Sequence, residues 1–187
     1  MGNNTWGNTL DPFAGARGAA FGTFTTAKDV SPLPLPQCFG NELRVGTLID
    51  LEASGEFSTT GTPTLQLGFG YGATAGGATG TIIAQSGVIT TASGAAAFPW
   101  HMLWQGIVTA VGASGVIYGQ GTLDLGTSLT VISTTAMPVT AAARSVTIDT
   151  TALKLWSVNA AWGTSSASNT LTVNRFVARI LNQGKTS

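Results

Sequence analysis

The chain has 187 residues, of which only 9% are charged, and its eight Lys/Arg balance eight Asp/Glu for zero net charge. An ordinary soluble protein is about 25% charged. This balance excludes a basic nucleic-acid binder, whose affinity comes from cations neutralising phosphates, and it excludes a polybasic membrane anchor. A chain of this length can bury roughly 70% of its unfolded surface, enough for one domain without staples.

Residues 1–40 read as an extended N-terminal arm. Gly2, Gly7, Gly15, Gly18 and Gly22 break any helical or strand period, yet Trp6, Leu10, Phe13, Phe21 and Phe24 recur between them. A disordered tail carries few aromatics, whereas an arm that lies on another surface keeps them as anchors. Trp6, Phe13, Phe21 and Phe24 are therefore interface candidates; the alternatives are packing on the arm's own domain and disorder. In Ser31-Pro32-Leu33-Pro34-Leu35-Pro36 proline stands at alternate positions, fixing φ and giving a stiff polyproline-like spacer. On this reading, deleting residues 1–30 leaves the β domain folded but detached from its partner. The first twenty residues hold Arg17 as their only cation and lack an apolar run, so no secretory signal is expected.

From residue 41 to 187 the pattern is β. Leu43, Val45, Ile49 and Leu51 alternate with polar residues, as do Leu65, Leu67, Phe69 and Tyr71. This period of two marks half-buried strands. Thr59-Thr60-Gly61-Thr62-Pro63 between them is a loop, and residues 72–80 form the next turn before a strand over 81–90. The most apolar segment is 98–111. Trp100, Met102 and Trp104 lie on one face and Leu103, Ile107 and Val111 on the other, as in a strand covered on both sides. Trp100 and Trp104 join the interface candidates on that ground.

Further strands are expected at 116–125, 129–134, 145–149, 154–162 and 170–181, rich in β-branched residues that suit a pleated surface. Trp156, Val158, Ala160 and Trp162 line one side of the strand at 154–162. Eight or nine short strands without a helix predict an all-β fold, a two-sheet antiparallel sandwich that is jelly-roll-like, with less than about 10% helix.

The residues that carry chemistry are few. His101 is the single histidine and Cys38 the single cysteine, and together they make no metal site. His101 as a base needs a nucleophile and an orienting acid; Asp124, Asp149 or a serine would have to approach in space. Glu52 and Glu56 are the nearest approach to the paired carboxylates of a glycosidase. Gly68-Phe69-Gly70-Tyr71-Gly72 lacks the following helix of a phosphate loop and reads as close backbone approach. Cys38 reads as a small buried hydrophobe. No enzyme activity, cofactor or metal is expected. Low charge and high hydropathy (mean +0.28) favour permanent assembly over a free monomer. A homo-oligomer is expected, with a trimer favoured. Exposed Trp6, Trp156 or Trp162 could instead stack on sugar rings.

Several turn-and-strand motifs carry a resemblance. They are Asn41-Glu42-Leu43-Arg44-Val45, Ser58-Thr59-Thr60-Gly61-Thr62-Pro63-Thr64-Leu65, Phe98-Pro99-Trp100-His101-Met102 and Tyr118-Gly119-Gln120-Gly121. Val146-Thr147-Ile148-Asp149-Thr150-Thr151 follows, then Trp162-Gly163-Thr164-Ser165-Ser166-Ala167-Ser168-Asn169-Thr170, with a closing strand through Arg175 to Asn182. With these, residues 41–182 resemble small virion proteins of tailed bacteriophages. The resemblance implies a jelly-roll-like structural protein made in the host cytoplasm and built into the virion. The favoured place is the head, as a decoration or cement protein against the major capsid protein. The alternative is a tail, fibre or baseplate module that binds host carbohydrate. It implies no catalytic residue, nucleic-acid contact or membrane contact.

Overall fold

The computed structural model of the chain describes residues 5–10, 20–72 and 79–183. In chain order its strands are β1 (Thr5–Leu10), β2 (Ala20–Phe21), β3 (Lys28–Asp29), β4 (Gln37–Cys38), β5 (Leu48–Ser58), β6 (Thr64–Tyr71) and β7 (Thr81–Gln85). There follow β8 (Ile89–Thr90), β9 (Phe98–Ala110), β10 (Gly115–Gly126), β11 (Ile132–Met137), β12 (Ser145–Ile148), β13 (Lys154–Trp162) and β14 (Thr170–Gln183). The one helical element among the described residues is a 3₁₀ turn at Ala142–Arg144. The fold is thus all-β, as the alternating pattern predicts.

Two antiparallel sheets pack as a sandwich. The larger runs β1-β14-β5-β9-β10-β11, with β12 also beside β10 and β2 beside β14; the smaller runs β3-β13-β6-β7, with β4 beside β13 and β8 beside β6. Pairs β5–β14 and β6–β13 are nested, and the chain crosses between sheets from β5 to β6 and from β13 to β14. That is the outer wrap of a jelly roll. The inner turn departs from it, because β9 lies beside β5 and β7 beside β6.

The core is the slab between the sheets. Phe69 of β6 stacks on Phe176 of β14 across it, with ring centroids 6.0 Å apart. Ile49, Leu51 and Ala53 on β5, and Trp100, Met102 and Trp104 on β9, point inward at alternate positions. Glycines let backbones close up where rings or strands need room. A side chain at Gly68 would meet the Ala84 carbonyl, and one at Gly70 the Thr79 carbonyl. The Gly-aromatic run is therefore a site of close strand approach, as its pattern predicts.

Three boundaries differ from the sequence reading. The single strand expected over 81–90 is divided into β7 and β8. The expected strand at residue 43 begins at Leu48, because a turn precedes it: the Thr47 amide donates to the Arg44 carbonyl at 2.9 Å, and Gly46 takes φ +90°. The strand expected at 129–134 slides to Ile132–Met137, leaving 127–131 as the hairpin loop.

The larger correction concerns the arm. Residues 20–40 are part of this domain, with no boundary at 40. β2 pairs with β14, and both β3 and β4 pair with β13. Phe24, Val30, Leu35 and Cys38 are buried in the core, and Phe21 packs against it. The proline segment is no free spacer. It runs along β13, where the Trp156 amide donates to the Pro36 carbonyl (2.9 Å) and the Val158 amide to Ser31 Oγ (2.6 Å). Prolines lack the N–H a ladder needs, so β3 and β4 stay two residues long on either side of them.

Candidate functional site

The interface residues expected from sequence divide three ways. Trp100 and Trp104 are 2% and 1% exposed, so their rings fill the core and offer nothing to a partner. Phe24 is 9% exposed and Phe21 partly buried, both against this chain's own core. Trp6 is placed by its backbone on β1, opposite Asn182 of β14; Phe13 lies outside the described residues. Trp156 and Trp162 are core as well, so neither is a platform for a sugar ring.

The second face of β9 is turned away from this chain's core. It forms the outer surface of the larger sheet, and the chain's scarce charges gather there. Register sets Arg175, Ser54, His101, Asp124 and Thr134 in one row across five strands. Glu52, two residues along β5 on the same face, reaches into the row: its carboxylate accepts from Arg175 Nη1 at 2.7 Å, with Arg179 Nη2 at 3.7 Å and His101 Nε2 at 3.5 Å. His101 Nδ1 is 3.9 Å from Asp124 Oδ2, and Thr134 Oγ1 donates to Asp124 Oδ1 at 2.6 Å. In the row beyond Glu52's, Asp50 accepts from Gln105 Nε2 at 3.2 Å.

The row brings together the types of a nucleophile, base and acid, Ser54, His101 and Asp124. Both ring nitrogens, however, stand nearest carboxylates, at distances beyond a good hydrogen bond. What the geometry makes is an ion-pair ladder knitting β14, β5, β9 and β10 together. Burial raises the Glu52 carboxyl, but the Arg175 guanidinium, its hydrogen bond, His101 and Arg179 outweigh that and hold it below the usual carboxylate value. A depressed value in the folded state stabilises above the ordinary value of 4.5 and ceases to do so as pH falls through the folded one. Glu52→Gln is therefore expected to cost about 1 kcal/mol or less at neutral pH. In paired denaturant titrations the gap to the parent should close as the pH drops below 4.5.

Cys38 is buried and free, as the sequence reading has it. Burial first, then the charge of Glu42, push its thiol up to about 12. The folded protein at pH 8 is expected to give no colour with a thiol reagent, and one equivalent per chain after denaturation. Among the described residues, no three His, Cys, Asp or Glu side chains gather to hold a metal ion. No helix among them is long and apolar enough to cross a membrane.

What sequence reasoning missed is the exposed apolar surface, of which two patches stand out. At one end of the sandwich, Asn41, Leu43, Arg44, Val45, Val111 and Thr150 line a depression of about 520 Å³, with Phe39 and Leu153 exposed on adjoining segments. At the β10–β11 hairpin, Leu129, Val131 and Ile132 stand 69%, 55% and 59% exposed. The second place had a signal, since residues 125–143 contain no charged side chain. No family profile and no curated protein matches the chain.

Proposed function

We propose that this chain is a structural subunit of a tailed-phage virion, a decoration or cement protein that stabilises the capsid shell by contacts with its own copies and with the major capsid protein. The observation that carries the reading is the surface. Phe39, Val45, Leu129, Val131 and Ile132 are each more than half exposed on a chain that is 9% charged. Scattered single apolar residues are ordinary on a monomer. Clusters of them with so little charge to keep copies apart suit a molecule that works covered. The jelly-roll-like wrap and the turn motifs over residues 41–182 support the virion context.

The attachment surface in this reading is the sandwich itself, since Phe21 and Phe24 are spent on the chain's own core. The test is to label purified particles of the source phage with an antibody to this chain and count copies by quantitative mass spectrometry. Hundreds of copies over the head are expected. A few to dozens confined to the tail would move the protein to the carbohydrate-binding alternative, and absence from the particle would end the virion reading.

A further inference from the structure

A strand at the edge of a sheet presents a row of unpaired N–H and C=O groups, and proteins ordinarily blunt such edges with proline, bulges, charge or cover. This molecule does so on its smaller sheet. Pro32, Pro34 and Pro36 interrupt the β3–β4 edge. At the opposite edge, the ladder from β7 to β6 is irregular between Phe69 and Gly70, and Pro138, Val139 and Val146 face residues 82–87 across a cavity of about 250 Å³.

Strand β11 has none of these devices. It pairs with β10 in an unbroken register, Gly121 opposite Met137 through Gly126 opposite Ile132. Among the described residues no backbone hydrogen bond reaches its other side. Its sequence, Ile-Ser-Thr-Thr-Ala-Met, is half β-branched and free of proline, glycine and charge. Exposed Leu129, Val131 and Val139 flank it.

We infer that the open edge of β11 is where two copies of this chain join, β11 against β11 antiparallel about a twofold axis, merging the two larger sheets into one. Self-complementarity decides the occupant. A twofold contact sets each residue against itself or a near neighbour, so any charge in the strand would meet its like. The nearest charges in sequence are Asp124, engaged by Thr134 Oγ1, and Arg144, beyond the end of β11. A charged partner of another kind would find nothing on β11 to read.

The pleat then limits the register. An axis normal to the sheet keeps the outer faces together, so facing residues must share a side. Ile132, Thr134 and Ala136 share the outer side; Ser133, Thr135 and Met137 share the inner. The two registers centred in the strand oppose Thr134 to Thr134, with Ile132 against Ala136, or Thr135 to Thr135, with Ser133 against Met137. Each puts a threonine pair on the axis, a favourable cross-strand match. The assembly is a dimer or a multiple of it, in place of the trimer that composition alone favoured.

This assignment deepens the self-association within the proposed function and rests on that part of it. Sedimentation of the full chain at micromolar concentration is expected to show a species of twice 18.9 kDa. Ser133→Lys and Ile132→Lys, both at exposed positions, should each weaken the dimer by about tenfold or more. Circular dichroism and thermal midpoint should stay near those of the parent. Thr134→Cys in the first register, or Thr135→Cys in the second, should form a disulfide-linked dimer on mild oxidation, whereas Leu153→Cys, exposed elsewhere, should not. A dimer or trimer that both lysine variants leave intact, with no cross-link at position 134 or 135, overturns the β11 contact while self-association stands. A parent that sediments as a monomer overturns both.

Discussion

Replacing Trp104 with alanine is expected to destabilise the sandwich by about 3–5 kcal/mol and to lower the thermal midpoint by about 10 °C. Trp104 is 1% exposed on β9, with Leu51 of β5 and Gly121 of β10 opposite it in the ladders. Its indole spreads over two glycines, Gly106 and Gly119, which face each other across the β9–β10 ladder. A side chain at either glycine would run into the ring. The two missing side chains and the one large ring thus form a single packing unit. Removing the ring leaves a void floored by the bare backbone of the two glycines. Trp104→Phe should cost less, since part of the ring's volume remains. Gly119→Val should be as damaging as Trp104→Ala from the opposite direction, because overpacking forces both the ring and the Gln105 carbonyl to move. Thermal unfolding followed by circular dichroism reads all three. If Trp104→Ala instead left the midpoint unchanged while altering association, the ring would belong to an interface after all.

That contrast marks what the sequence could and could not show. Period-two alternation located β6, β9 and β13 within a residue or two, because inward residues must repeat wherever one face of a sheet is buried, and β-branched content located β10 and β14 as closely. The tryptophans of β9 were legible as buried, but core and interface both select large rings, and only the packing of β5 and β10 beside them decides. Proline at alternate positions is legible as a chain that cannot ladder. Whether such a chain stands free or lies along a neighbour is not written in it. Ser31 Oγ and the Pro36 carbonyl accept from β13 amides without any N–H of proline being needed. The charge ladder around Glu52 joins residues more than a hundred positions apart in sequence, so no local spacing announces it. The uncharged run at 125–143 was in plain view. What was hidden is that its strand is last in the sheet, since strand order is a property of the whole topology.

Deleting residues 1–30 is expected to unfold the domain or leave it in a loosely packed state, the reverse of what a detachable arm would do. The deletion removes Phe24, 9% exposed, and Val30, fully buried. Each is worth about 1.5–3 kcal/mol of apolar burial. It also strips the outer side of β13. The Trp162 amide donates to the Phe24 carbonyl at 3.1 Å, and the Val30 amide donates to the Val158 carbonyl at 2.9 Å. Asp29, buried, accepts from the Ser31 amide at 2.9 Å and pairs through β3 with Asn159, itself buried. Without this cover, Ser157, Val158 and Asn159 on the middle of β13 lose their shield from water. The combined loss is comparable to the whole stability of a typical domain, about 5–15 kcal/mol. Val30→Asp isolates the effect in the intact chain, by putting a carboxylate at a fully buried position of the core, and should cost at least about 3 kcal/mol. Urea titration of the single variant, with circular dichroism of the truncated chain, provides the check. A truncated protein that still unfolds cooperatively near the parent's midpoint would show that residues 20–30 lie on the sandwich without holding it together.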